Sequence, residues 1–309
     1  MDTHRPLARI ALDDLGAVRI AGADAVRFLQ GQLSNDVTRL APEHSLLAGY
    51  HTPQGRALAL LRLAWLAEGE VLAVLPRELA GTIAERLVKY VLRAKVTVAD
   101  VSHEWCVNGL LADDSGAAPT AVNIAYTDLP PPGTRAQRRR GRQLLLGTGD
   151  GSGRWLEIAP RADAPAPDPA ARARWRLLDV RAGMPQVYAA TSAQFVAQML
   201  NLDVLGAIAF DKGCYTGQEV IARAHYRGRV KRRAQRFRST APLELAPGAS
   251  GRLPDGRSVA IVEAAQLPDG RCEFLAVAAL AHEPPEGAAD EAAPGLPAEP
   301  LALPYALPA

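Results

Sequence analysis

Lys212-Gly213-Cys214-Tyr215-Thr216-Gly217-Gln218-Glu219 is the stretch on which the reading of this chain turns. The thiolate is the reactive form of cysteine, and a nearby cation or converging backbone N–H groups lower its pKa. Lys212 stands two residues before Cys214, and Gly213 and Gly217 permit the positive φ angles that turn amides toward one point. Tyr215 and Gln218 add hydrogen-bonding side chains, Glu219 a carboxylate, and Arg223, Arg227 and Arg229 follow. Cys214 is thus a candidate reactive thiol with Lys212 beside it. The residues alone leave open that Cys214 is a small buried hydrophobe, as most free cysteines are.

The surrounding chain of 309 residues is long enough for about two or three packed units. Apolar residues make up 48 % of it and aromatics only 5 %, so Ala, Leu and Val must build the core. A net charge of +2 does not by itself imply a nucleic-acid partner. Basic residues cluster in two runs. Arg135 to Arg142 reads as solvated loop charge, and Arg223 to Arg238 either as the same or as the neighbour of an anionic ligand. Cys106, Cys214 and Cys272 lie far apart without a CxxC pair, which argues against a disulfide framework and a closed zinc site. No metal site is expected. With no apolar leader at Met1 to Pro6 and no membrane-spanning apolar run, a cytoplasmic protein in a reducing compartment is expected.

Patterning places a strand at Gly16 to Ile20 and a helix after Asp24, its expected N-cap. Apolar runs at Leu46 to Tyr50 and Ala57 to Trp65 flank the turn Thr52-Pro53-Gln54-Gly55, and further strands fit Val71 to Leu75 and Val96 to Val101. Leu79, Ile83, Leu87 and Val91 predict a helix over 77–93. Trp105 to Leu111, Gln143 to Leu146 and Trp155 to Ile158 read as strands, while Gly149 to Gly153 lacks a Walker lysine and reads as a turn. Short helices are expected at Ala171 to Ala182 and Phe195 to Leu202. After Arg236 the turn signals Pro247-Gly248, Pro254-Asp255-Gly256 and Pro268-Asp269-Gly270 suggest a small β-barrel. The expected organisation is an α+β core at 1–104 and 171–235, a short middle lobe at 105–160, a linker at 161–170, a barrel at 236–282 and a tail at 283–309 with a docked end.

The cysteine segment resembles the signature of the YgfZ family, folate-binding proteins related to the glycine-cleavage T-protein. The resemblance extends through Trp175, Ala182-Gly183-Met184-Pro185, Gln194-Phe195, Asn201-Leu202 and Leu205-Gly206, and on through Val220-Ile221-Ala222-Arg223 and Arg227-Gly228. It returns in Phe28-Leu29-Gln30-Gly31-Gln32-Leu33 with Asn35-Asp36-Val37, and in Leu303-Pro304-Tyr305-Ala306-Leu307. It implies an α+β fold: a multidomain ring with a C-terminal antiparallel β-barrel, around a hole that holds tetrahydrofolate or a related folate. It further implies a role in making or maintaining iron–sulfur enzymes, including ones that modify tRNA, with Cys214 as the functional cysteine. Whether that sulfur is nucleophile, redox thiol or ligand to a transient iron–sulfur cluster stays open, as does whether the protein is an enzyme. Of the two tryptophans that flank folate in such proteins, one matches Trp175 and the other aligns with Leu15, which can pack against a pterin but not stack on it. Asp179, Arg181, Tyr215, Gln218, Glu219 and Arg223 complete the candidate folate-site residues. The expected partners are the folate and iron–sulfur client enzymes, with no membrane, and the chain is expected to be a monomer.

Two rival readings differ in kind. A T-protein-type aminomethyltransferase needs a carboxylate near the folate nitrogens, and Asp100 falls after a strand, in the wrong context. An RNA-binding module would use the two basic runs, although few aromatics are available to stack bases. A Cys214/His225 pair could in principle form a nucleophile and its base, against an exposed, solvated His225. Cys106 and Cys272 lie in strand-like runs and are expected to be buried.

Overall fold

A computed structural model of the chain describes residues 4–112, 121–131, 133–151, 153–228, 230–280 and 293–308. The chain divides into two compact units, the first formed by Met1–Tyr50, Ala59–Arg172 and Asp211–Tyr215, the second by His51–Leu58, Ala173–Phe210 and Thr216–Ala309. Strand-rich sequence becomes three antiparallel sheets, and four α-helices accompany them among the described residues.

The elements of the first unit begin with β1 (His4–Ala11), β2 (Leu15–Ala21) and α1 (Ala25–Gln32). They continue with β3 (Leu46–His51), β4 (Ala57–Ala67), β5 (Glu70–Pro76), α2 (Arg77–Val88) and β6 (Thr97–Asp100). The last of them are β7 (Trp105–Ala112), β8 (Ala121–Ala125), β9 (Gln137–Arg140), β10 (Gln143–Gly147) and β11 (Arg154–Pro160). One sheet runs β3-β4-β5-β2-β6 and the other β8-β1-β7-β11-β10-β9. The run Ala57 to Leu61 is buried at every position, which is why it reads as continuous apolar sequence and not as alternation. In the second sheet Leu7, Leu110, Leu145 and Trp155 share a core, and the Trp155 indole donates to the Pro130 carbonyl at 2.8 Å.

Helix α3 (Pro169–Arg181) begins on a side-chain cap, with Asp168 accepting from the amides of Ala170 and Ala171 at 3.0 Å each. Gly183, at φ +64°, follows its end. The second unit continues with α4 (Gln218–Tyr226), β12 (Arg232–Ser239), β13 (Ser250–Arg252), β14 (Ser258–Gln266), β15 (Cys272–Ala279) and β16 (Ala298–Leu301). Its sheet has the order β13-β14-β15-β12-β16, over a core that includes Phe237, Ile261, Phe274 and Leu296. The sequence repeats Pro-Asp-Gly-Arg at 254–257 and 268–271, and both copies fold alike. Each glycine has positive φ, and each aspartate accepts from the arginine amide at 3.1 Å.

Several local expectations change. The helix over 77–93 stops at Val88, and Leu92, 90 % exposed, adopts φ +43°, because past Leu87 the apolar spacing no longer faces a core. Phe195 to Leu202 contains only a 3-10 turn at Ala197–Leu200, closed by Asn201 at φ +57°. The Asp24 carboxylate accepts from the Lys95 amide at 2.8 Å and caps nothing on α1. Arg138 to Arg140 lie on edge strand β9, where exposed charge discourages further pairing, and not in a loop. Strand β1 carries no clear alternation that would mark it in the sequence. Residues 281–292, which include the start of the Pro/Ala-rich tail expected at 283–309, lie outside the described residues, as do Arg229, Pro132 and Ser152. No helix among the described residues is long and apolar enough to cross a membrane.

Candidate functional site

Residues 211–215 pack into the first unit. The Lys212 ammonium donates to the carbonyls of Gln30, Leu33 and Asn35 at 2.7, 2.7 and 2.8 Å, gathering the backbone oxygens at the C-terminal end of α1 and the turn after it. The same ammonium lies 5.1 Å from the centre of the Tyr215 ring. Burial pushes Lys212 down to about 8, against the pull of the Asp36 carboxylate. Burial likewise pushes the Tyr215 phenol up to about 12.

The turn that Lys212 grips is itself tightly bonded. Gln30 donates to Asp36 at 3.0 Å and accepts from the Val37 amide at 2.7 Å. Asp36 accepts from the Thr38 hydroxyl at 2.6 Å, and that bond leads the effects holding its carboxyl below the usual range. Asn35 donates to the Leu47 carbonyl at 2.7 Å. Thus the segments 28–37 and 212–215, about 180 residues apart in the chain, form one hydrogen-bonded assembly. Beside it Cys214 is exposed, which removes the buried-hydrophobe reading, whereas Cys106 and Cys272 are buried and their thiols are raised by that burial.

The remainder of the motif belongs to the second unit. Gly217 adopts φ +85°, and a Cβ there would stand 2.5 Å from the Thr52 carbonyl oxygen, so only glycine fits. Gly217 begins α4, with Glu219 exposed in its first turn, Gln218 half-buried and Arg223 exposed near its end. Gln198 donates to the Ile221 carbonyl at 2.7 Å and fixes the helix from its other side. His225 stacks on Phe210 with ring centroids 3.7 Å apart.

Helix α3 carries Trp175, buried, and Asp179, half-buried, four residues apart on one face. Arg181 is engaged with Glu273 at 3.0 Å, and Arg236 meets the same carboxylate at 2.6 Å. Burial alone would raise Glu273, but these two arginines outweigh it and hold it below the usual range. Three arginines of the second basic run are held in such pairs: Arg233 with Asp203 and Arg238 with Glu299 join Arg236. Leu15 opens β2, half-buried, in the first unit. Asp100 accepts from the amide and hydroxyl of Ser102 at 2.9 and 2.5 Å.

One residue absent from the sequence reading stands out. Glu263 is 2 % exposed, accepts from the Tyr188 hydroxyl at 2.5 Å and lies 3.6 Å from the Arg176 guanidinium. Burial raises it to about 7 despite both neighbours. Its sequence signal is a single charge inside the apolar strand Ser258–Gln266. Among the described residues no group of three or more His, Cys, Asp or Glu side chains could hold a metal ion.

No family model matches the chain. Individual relatives do. The chain is 33 % identical over 285 residues to the tRNA-modifying protein YgfZ of Yersinia pseudotuberculosis serotype O:1b (strain IP 31758), covering 88 % of this chain and 84 % of that protein. It is 33 % identical over 282 residues to the protein of the same name from Enterobacter sp. (strain 638), covering 86 % and 83 %. Among solved structures, the glycine cleavage system aminomethyltransferase T from Bartonella henselae superposes over 90 % of this chain and 79 % of its own, with TM-score 0.67 at 13 % identity. That likeness establishes a T-protein-like fold, and the sequence identities establish the lineage within it: the chain belongs to the YgfZ family.

Proposed function

We propose that this protein binds tetrahydrofolate or a related folate and supports the assembly or repair of iron–sulfur enzymes, tRNA-modifying ones among them, through Cys214. The observation that carries the reading is the exposed Cys214 thiol beside the assembly that joins segments 28–37 and 212–215, in a chain of the YgfZ family. Lys212 acts here as the anchor of the motif: its ammonium is committed to three carbonyls, so it fixes where the sulfur stands. The chemistry of α3 suits a pterin. Trp175 is a flat indole of the kind that packs against a pterin ring, and Asp179 on the same helix face is an acceptor for amino and ring N–H groups. When bound, the folate would supply one-carbon or electron-transfer chemistry.

The reading includes clients in the cytoplasm and closure of the C-terminal sheet into a barrel. Supporting closure, Arg252 of edge strand β13 donates to the Pro294 carbonyl at 2.9 Å and accepts from the Leu296 amide at 2.7 Å, just before the chain enters β16 at the opposite edge. The test of the function is complementation. In a bacterial strain lacking its own family member, the wild-type chain restores the activity of a tRNA-modifying iron–sulfur enzyme and Cys214→Ala does not. Full restoration by Cys214→Ala would remove the cysteine from the account.

A further inference from the structure

Near the end of α4, Ala224, His225 and Gly228 line a cavity of about 340 Å³ together with Val204, Phe210 and Arg233. That volume lies in the range of small-ligand pockets. None of the residues proposed above to hold folate lines it. Its walls suit a flat ring. The Phe210 and His225 rings lie 15° from parallel at 3.7 Å, and Tyr226 meets them edge-on at 6.1 and 4.8 Å. Tyr226 is 66 % exposed, so its ring is accessible beside the stack.

The charge around the cavity is arranged in two layers. Arg233 and Asp203, both lining it, are 4 % and 9 % exposed and form a bidentate pair at 2.9 Å on each arm, so they cancel. Outside, Arg223 in the last turn of α4 and Arg227 just past its end are exposed, and each immediately precedes a lining residue, Ala224 and Gly228. Neither is in an ion pair with another described residue, in contrast to Arg233, Arg236 and Arg238 of β12. A stacking platform beside unpaired cations is how proteins hold single strands without reading sequence. A peptide or lipid would use the cations but not the parallel rings.

We infer that this cavity and its flank bind single-stranded nucleic acid, with one unpaired base entering against the Phe210–His225 stack and Arg223 and Arg227 taking the adjoining phosphates. The test uses the full chain and a labelled mixed-sequence hexaribonucleotide, read by fluorescence anisotropy across salt concentrations. Saturable binding is expected, with log K falling against log salt at a slope of about −1.4 for two phosphate contacts on a single strand. Ala224→Leu fills the cavity and should weaken binding about tenfold while leaving that slope in place. Arg227→Ala should roughly halve the slope. Should Ala224→Leu fold poorly, Tyr226→Ala, at an exposed position, is expected to show a loss of similar size. Absence of binding at low salt would overturn the inference. So would equal binding by wild type, Ala224→Leu and Tyr226→Ala, or displacement of the hexamer by an equal concentration of adenosine monophosphate.

Discussion

Replacing Lys212 by methionine isolates what its ammonium does. Methionine keeps the length and apolar stem of the side chain and removes the charge and every donor. In the wild type that ammonium serves the carbonyls of Gln30, Leu33 and Asn35 at 2.7 to 2.8 Å. A buried acceptor left without its donor costs about 1–3 kcal/mol. Lys212 is half-buried, so water reaches part of the set, and about 3 kcal/mol is a fair total for the three carbonyls. At about 2–4 °C per kcal/mol for a domain of this size, the melting midpoint should fall by about 6–12 °C. The damage should also be local. Hydrogen exchange at the amides of Val37 and Thr38, which bond to Gln30 and Asp36, should accelerate most. Lys212→Arg should recover only part of the loss, because a planar fork cannot direct three donors to one converging set. Circular dichroism melts and exchange mass spectrometry read both effects. An unchanged midpoint with unchanged exchange in 28–38 would refute the anchoring role.

Two further outcomes follow from the geometry. Gly217→Ala should destabilise the second unit by about 2–3 kcal/mol in urea titration, since it adds left-handed strain to a 2.5 Å approach to the Thr52 oxygen; a loss within error would contradict that packing. Glu263 is raised from 4.5 to about 7, so its folded state holds a proton that the unfolded chain has released. Its stabilising contribution is therefore complete below about pH 4.5 and lost as pH rises through about 7, a change of about 3 kcal/mol for a fully buried group. Glu263→Gln should lack that decline, gaining on wild type across this window in urea midpoints; parallel pH profiles would be the contrary result.

Sequence reading served best where the physics is local. The strand at Leu15–Ala21, the strands flanking the Thr52 to Gly55 turn and the paired Pro-Asp-Gly-Arg turns all announce themselves through alternation, apolar runs or turn chemistry. It served poorly where a distant partner decides. Nothing around Arg138 says that the run will lie on an edge strand, because its partner is the strand Gln143–Gly147 and the Leu66 carbonyl accepts from Arg139. Lys212 was legible as a cation near the cysteine, but its true partners lie about 180 residues upstream. Arg236 and Arg238 looked like free charge and proved to be neutralised by Glu273 and Glu299, carboxylates from other strands. Glu263 was invisible for the same reason, since its environment is made by Tyr188 and Arg176.

The proposed function rests on folate, and the most direct measurement is calorimetric titration of the purified chain with tetrahydrofolate, repeated with Trp175→Ala and with Leu15→Trp. Saturable binding to wild type, loss in Trp175→Ala and tighter binding in Leu15→Trp are the results predicted. No heat of binding from either wild type or Leu15→Trp would contradict the claim that this member of the family is a folate-binding protein.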